Sequence, residues 1–150
     1  MEESNIPFAM IATNISNGEK VILNRGNVAD AVAASTCIPG IFIPVEIENK
    51  LLVDGGIVEN VPISPLKEMG AELVIGVDLN AKHSYSRPEN IIEVLLNSFH
   101  FTLNTASKVQ TQKADIIIAP DLSSFNRVDI DQAPNLIEAG YKVTIKILGN

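Results

Sequence analysis

Apolar residues along the chain fall in short blocks separated by turn-forming residues, and the spacing inside each block predicts its element. Residues 7–12 and 20–23 read as two β-strands joined through 14–19, where Asn17-Gly18 supplies the positive φ angles of a hairpin turn. Asn27 is placed to cap a helix over residues 28–35, with Pro39 and Gly40 as the stop. Its Ala29, Val32 and Ala33 are small enough for close packing, so the helix is expected to be buried. Residues 41–47 and 50–53 flank Glu48 and Asn49 as a second short hairpin, which runs into Asp54-Gly55-Gly56 and so places that triplet at a strand's end.

Asn60 and Pro62 introduce a short helix through about Met69, with Gly70 as its C-terminal stop. Residues 73–77 are continuously apolar, the pattern of a strand covered on both faces. After a polar loop at 81–88, Ile92, Leu95, Leu96, Phe99, Leu103 and Ala106 recur at helical spacing, which predicts one long amphipathic helix ending near Lys113. A further buried strand over 115–119 is closed by Pro120, and beyond a loop at 122–131 residues 135–148 read as a final helix. This alternation predicts an α/β fold with a mostly parallel central sheet flanked by helices, in one unit spanning 1–150. No internal repeat, low-complexity tract or interdomain linker interrupts it.

Composition narrows the function more than the fold. Lys and Arg number 11 against 18 Asp and Glu, and the net charge of -7 repels phosphate backbones and anionic membrane surfaces, so a nucleic-acid partner is not expected. Cys37 is the one cysteine, which rules out an intrachain disulfide and a cysteine-based zinc site and fits a reducing, cytoplasmic compartment. Glu2 and Glu3 stand where a secretory signal carries basic residues, and no apolar run approaches the roughly 18 residues that span a bilayer. Contact with a membrane would be peripheral.

The chemistry-bearing stretch runs from Ala34-Ser35 through Ile38-Pro39-Gly40-Ile41-Phe42-Ile43-Pro44-Val45 and Val53-Asp54-Gly55-Gly56 to Asn60-Val61-Pro62. In this order and spacing it resembles the second half of the catalytic domain of the patatin-like phospholipase family. The resemblance is close over roughly the first half of the chain, including Ala12-Thr13 and Gly18, and looser beyond the 73–78 segment. It implies a patatin-like α/β domain whose N-terminal half is absent, and a serine and aspartate dyad in which the carboxylate takes the serine proton without a histidine. Asp54 would be that base, with Gly55 and Gly56 completing the motif, and Asn60, Pro62 and Pro39 shaping the site. A base must lie within about 2.6 to 3.2 Å of the hydroxyl it deprotonates, which calls for a rigid mount at a strand end. Paired glycines let the backbone turn beside reacting atoms.

Plainer readings stand beside these. Asp-Gly is a common turn pair with no chemistry, and the triplet alone favours that reading; the surrounding pattern reverses it. Asn followed two residues later by Pro suits a helix N-terminus, so Asn60 is as well read as a cap. Cys37 reads as a small buried hydrophobe. His83 and His100 lack metal-ligand spacing, and Asp129-Ile130-Asp131 lacks the glycine and closing glutamate of a calcium loop, so capping is the better reading there. No metal, cofactor or nucleotide is called for.

One departure from the family pattern governs the functional expectation. The family's Gly-x-Ser-x-Gly elbow and the glycine-rich loop of its oxyanion hole do not occur between Met1 and Asn150, and Ser35, flanked by Ala34 and Thr36, lacks the elbow glycines. The expectation is therefore part of a lipid acyl hydrolase acting on a phospholipid or other acyl ester, inactive alone, that exposes apolar surface and pairs with its missing half or with itself. The alternative is a non-catalytic interaction module built on the same fold. A gene segment upstream that encodes Gly-x-Ser-x-Gly would separate the two.

Overall fold

The Asn17-Gly18 turn forms as its residue types allow. Gly18 takes φ 77°, its N–H reaches the Asn14 carbonyl at 2.8 Å, and the chain reverses between β1 (Met10–Asn14) and β2 (Glu19–Leu23). The computed structural model describes residues 1–82, 85, 87–126 and 129–149. β1 runs further than the apolar pattern suggested, through the polar Thr13 and Asn14, because the Thr13 hydroxyl is satisfied inside the sheet by the Asp54 carbonyl at 2.8 Å.

A second reversal at Glu48 and Asn49, both at positive φ (50° and 60°), joins β3 (Val45–Ile47) to β4 (Lys50–Asp54). β4 inserts between β1 and β3, giving the order β2-β1-β4-β3 with every pairing antiparallel. Residues 41–44, expected to extend β3, form a loop instead. Gly40 turns at φ 82°, and Pro39 and Pro44 have no N–H to give a ladder.

The helix α1 (Val28–Ser35) is capped as expected, Asn27 accepting from the Ala29 N–H at 2.8 Å. Its orientation differs from the expectation. Ala31 and Ala34, one turn apart, face the sheet and pack with Ala12, Leu23 and Leu52, while Ala29, Val32 and Ala33 face outward. Methyl side chains at 31 and 34 let the helix lie close over β1 and β4, and fully burying Leu52 beneath them contributes roughly 1.5–3 kcal/mol.

Beyond β4 the chain becomes a right-reading α/β segment in order: α2 (Gly56–Glu59), α3 (Ile63–Glu68), β5 (Ile75–Val77), α4 (Ile91–Gln110), β6 (Ile116–Ile118) and α5 (Ala133–Leu148). A 3-10 turn, Thr111–Lys113, ends the long helix, and another, Ile130–Gln132, precedes α5. β5 and β6 pair in parallel across the α4 crossover, Gly76 opposite Ile117. Val61, Ile63 and Val74 form a second small core beneath them.

The chain is thus α/β, but the expected mostly parallel central sheet is corrected: the four-stranded sheet is antiparallel and the parallel sheet has two strands. The four-residue reversal at 15–18 and the two-residue one at 48–49 are too short to join anything but antiparallel neighbours, so those turns outweighed the helix and strand alternation of the second half. β5 is also not covered on both faces, since Ile75 and Val77 are exposed and only Gly76 is buried. α5 buries none of its residues; its Ile137, Tyr141, Ile145 and Leu148 form an exposed apolar stripe at helical spacing. No described helix is long and apolar enough to cross a membrane.

Candidate functional site

Asp54 is the last residue of β4, an inner strand, and its backbone is held from three sides. It lies opposite Ala12 on β1, its N–H donates to the Cys37 carbonyl at 2.8 Å, and its carbonyl accepts the Thr13 hydroxyl at 2.8 Å. The next N–H, of Gly55, reaches the Ser35 carbonyl at 3.3 Å. Strand, helix end and loop therefore converge on one residue.

Gly55 is required by closeness rather than by φ. A β-carbon there would stand 2.0 Å from the Ile11 carbonyl oxygen, inside the backbone of the neighbouring strand. At Gly56 a β-carbon would stand 2.9 Å from Asp54 Oδ1 and 3.1 Å from Asn60 Oδ1. The two polar side chains thus flank a glycine that leaves the space between them open.

The Asp54 side chain is half-buried and accepts from the Gly56 N–H at Oδ1, 2.7 Å away. No second hydrogen bond reaches the carboxylate among the described residues. Burial pushes its pKa above the ordinary carboxylate value, and the Gly56 N–H opposes that shift without cancelling it. One oxygen closes the local turn, as the plainer reading required, and the same bond fixes the carboxylate's direction.

Asn60 does not cap a helix through its side chain. It is the C-terminal boundary of α2, and Pro62 precedes α3 with no side-chain cap. Asn60 Nδ2 instead donates to Ser107 Oγ on α4 at 2.7 Å, and Ser107, itself buried, donates to the Leu103 carbonyl at 2.8 Å. The Gln110 carboxamide oxygen accepts the backbone N–H groups of Asn60 and Val61, at 3.0 and 3.2 Å, and its Nε2 donates to the Val58 carbonyl at 3.3 Å. Both α2 and the turn after it are docked onto the long helix by these contacts.

Pro39 lies on the loop after α1, bridged to Phe42. Cys37 at the head of that loop is buried, with Sγ 3.4 Å from the Ile43 carbonyl. Burial and then the Asp54 charge raise its thiol pKa, which is opposite to what a nucleophile needs. Nearby, Glu59 is buried against Lys20 at 2.9 Å and accepts from the Ser64 N–H and hydroxyl, fastening α2 to β2 and α3. Burial pushes this carboxyl up, but the Lys20 and Ser64 hydrogen bonds together outweigh it and hold its pKa below the ordinary value.

The remaining candidates stay apart from this site. His100 lies beside Phe99 on α4, ring centroids 6.0 Å apart, and His83 lies outside the described residues. Asp129 accepts from the Asp131 N–H at 3.0 Å, the capping geometry. A cleft of about 550 Å³ opens at the ends of β5 and β6 against α5, walled by Leu79, Leu122, Phe125 and Ile137, and none of its lining residues belongs to the Asp-Gly-Gly segment. Ser107 and Gln110 were not singled out from sequence, and Thr13 was named only as part of the family pattern, with no role. Thr13 carried a usable signal, a hydroxyl directly after the apolar run 10–12; Gln110 on an amphipathic helix carried none.

Fold and site together define an α/β protein that mounts a half-buried carboxylate rigidly at the end of an inner strand. Residues 1–67 match the sequence profile of the patatin-like phospholipases. An NTE family protein of Mycobacterium tuberculosis (strain ATCC 25618 / H37Rv) is 37% identical over 84 residues, which cover 56% of this chain and 23% of that protein. A second, of Mycobacterium bovis (strain ATCC BAA-935 / AF2122/97), is 28% identical over 158 residues, covering 89% of this chain and 27% of its own length. Lysophospholipase NTE1 of Cryptococcus neoformans var. neoformans serotype D (strain JEC21 / ATCC MYA-565) is 36% identical over 81 residues, 54% of this chain and 5% of that protein. The chain spans about a quarter of the length of the mycobacterial relatives.

Proposed function

We propose that this chain supplies the general base of a serine and aspartate acyl hydrolase that cleaves an ester bond in a phospholipid or other acyl lipid. The observation that carries the reading is the Asp54 carboxylate, with one oxygen fixed by the Gly56 N–H at 2.7 Å and its pKa raised by burial. A base whose pKa sits above the ordinary carboxylate range accepts a hydroxyl proton more readily, and a fixed oxygen leaves its partner oxygen pointed. In the reaction, that second oxygen takes the proton of a serine as the serine attacks the acyl carbonyl. It then gives the proton to the departing alcohol oxygen as the ester C–O bond breaks, which leaves an acyl-serine and a free carboxylate. The acyl group then passes to water, activated by the same carboxylate.

The serine and the oxyanion hole come from a segment outside this sequence. The lack of Gly-x-Ser-x-Gly within 1–150 and the quarter-length match to the mycobacterial relatives support that division. Asn60 and Pro62 shape the site by holding the segment after Gly56 against α4, and Pro39 by fixing the loop whose Cys37 carbonyl holds Asp54. The exposed stripe of α5 and the half-open β5 are surfaces that the other segment, or a second copy, would cover. The buried, unpaired Cys37 suits a reducing cytoplasmic setting.

The purified chain, incubated with a chromogenic short-chain acyl ester, is expected to show no turnover above buffer. Turnover that disappears on Asp54→Asn would mean that the nucleophile lies within these residues, and the division proposed here would fail.

A further inference from the structure

We infer that the loop tip Ile41-Phe42-Ile43 is the element by which this protein seats on a zwitterionic lipid surface, beside the Asp54 carboxylate. The inference rests on the acyl-lipid reading above and names the surface that reading needs.

The tip is apolar and outward. Ile41, Phe42 and Ile43 are 46%, 57% and 90% exposed, and they stand between Pro39 and Pro44 rather than on a helix or sheet face. Inserting backbone into a lipid interface is costly wherever an N–H or carbonyl lacks a partner. Here the N–H groups of Ile41 and Phe42 both donate to the Ile38 carbonyl, at 3.2 and 3.1 Å, Pro39 and Pro44 have none, and the Ile43 carbonyl accepts from Cys37 Sγ. Two of the tip's three N–H groups and one of its three carbonyls are therefore satisfied before it meets any partner.

Charge selects the lipid. Residues 38–45 carry no ionisable side chain, the flanking charges Asp30 and Glu46 are acidic, and the whole chain stands at -7. With no Lys or Arg between Asp30 and Glu46, the loop offers an anionic surface no counter-charge, whereas a zwitterionic surface needs none. Position completes the case. Both ends of the loop meet at Cys37, whose Sγ contacts the Ile43 carbonyl and whose own carbonyl holds the Asp54 N–H at 2.8 Å. A surface that accepts the tip brings lipid to the strand end where the proposed base sits.

The chain contains no tryptophan, so a single Trp reports one place. With phosphatidylcholine vesicles, Ile43→Trp is expected to shift its emission to the blue and to be quenched by brominated acyl chains, whereas Ile137→Trp on α5 is not. Phe42→Asp with Ile43→Asp is expected to weaken vesicle flotation at least about tenfold, the loss that follows from withdrawing one fully buried apolar side chain, with an unchanged melting temperature. An Ile43→Trp emission that ignores vesicles would overturn the inference. So would a blue shift that follows protein concentration without lipid, which would assign the tip to a second copy. Failure of the dyad reading shows differently, as vesicle binding retained without Asp54-dependent ester cleavage in the assembled protein.

Discussion

Asn60 Nδ2 and Ser107 Oγ lie 2.7 Å apart, and through this contact the turn that follows the Asp-Gly-Gly segment is fastened to a helix 47 residues further along the chain. Gln110, one turn beyond Ser107, takes the Asn60 and Val61 N–H groups. Truncating Asn60 to Ala leaves the buried Ser107 hydroxyl short of a donor, and truncating Gln110 to Ala strands two backbone N–H groups. Each is expected to cost about 1–3 kcal/mol in chemical denaturation. Because both act on one junction, the double variant should lose less than the sum; strict additivity would show that the two contacts are independent.

Gly55 and Gly40 are irreplaceable to different degrees. A methyl at Gly55 meets the Ile11 carbonyl at 2.0 Å, a clash with backbone that no rotamer relieves, so Gly55→Ala is expected to abolish accumulation of folded protein. At Gly40 the space is open and the obstacle is φ 82° alone, so Gly40→Ala should fold with a loss of roughly 1–2 kcal/mol. Soluble yield and thermal melts of the two variants, compared side by side, check the ranking.

The buried Glu59 and the half-buried Asp54 give opposite responses to acid. Glu59 has its pKa lowered from 4.5, so its contribution is complete above that value and is lost as pH falls through the lower folded-state value. Asp54 has its pKa raised from 3.8, so its contribution is greatest in acid and falls as pH climbs from that value through the raised one. Denaturation midpoints measured from acid to neutral should therefore show Glu59→Gln flattening the acid-side loss. Asp54→Asn, whose amide oxygen can still accept from Gly56, should be at least as stable as the parent at neutral pH.

The apolar stripe of α5 predicts self-association. Ile137, Tyr141, Ile145 and Leu148 occupy one face of a helix that buries nothing. Sedimentation velocity at micromolar concentration is expected to show dimers or larger species, and Ile137→Lys with Ile145→Lys to shift the distribution to monomer. A monodisperse parent chain would count against an uncovered interface.

Local signals were readable where one residue type decides the geometry. Asn17-Gly18 fixed a hairpin, Asn27 a helix cap, and Asp54-Gly55-Gly56 the end of a strand. What escaped was tertiary. Which face of α1 is buried depends on Ala31 and Ala34 meeting Leu52 and Ala12, and alanines at 29 and 33 offered the same local character. The joining of the two hairpins into one sheet followed from β4 inserting beside β1, a pairing of residues about 40 apart that no local pattern encodes. Asn60 sat in a sequence context suited to capping, yet its partner was a serine 47 residues away.

The dyad proposal is tested most directly by co-expressing this chain with the segment proposed to carry a Gly-x-Ser-x-Gly elbow and measuring hydrolysis of a chromogenic acyl ester. Asp54→Asn is the informative variant because it keeps the oxygen that the Gly56 N–H holds while removing the basicity. The account predicts turnover from the assembled pair, none from either piece, and a loss of at least about a hundredfold on Asp54→Asn, the lower end of what general-base catalysis contributes. Assembled turnover that persists unchanged in Asp54→Asn would contradict it.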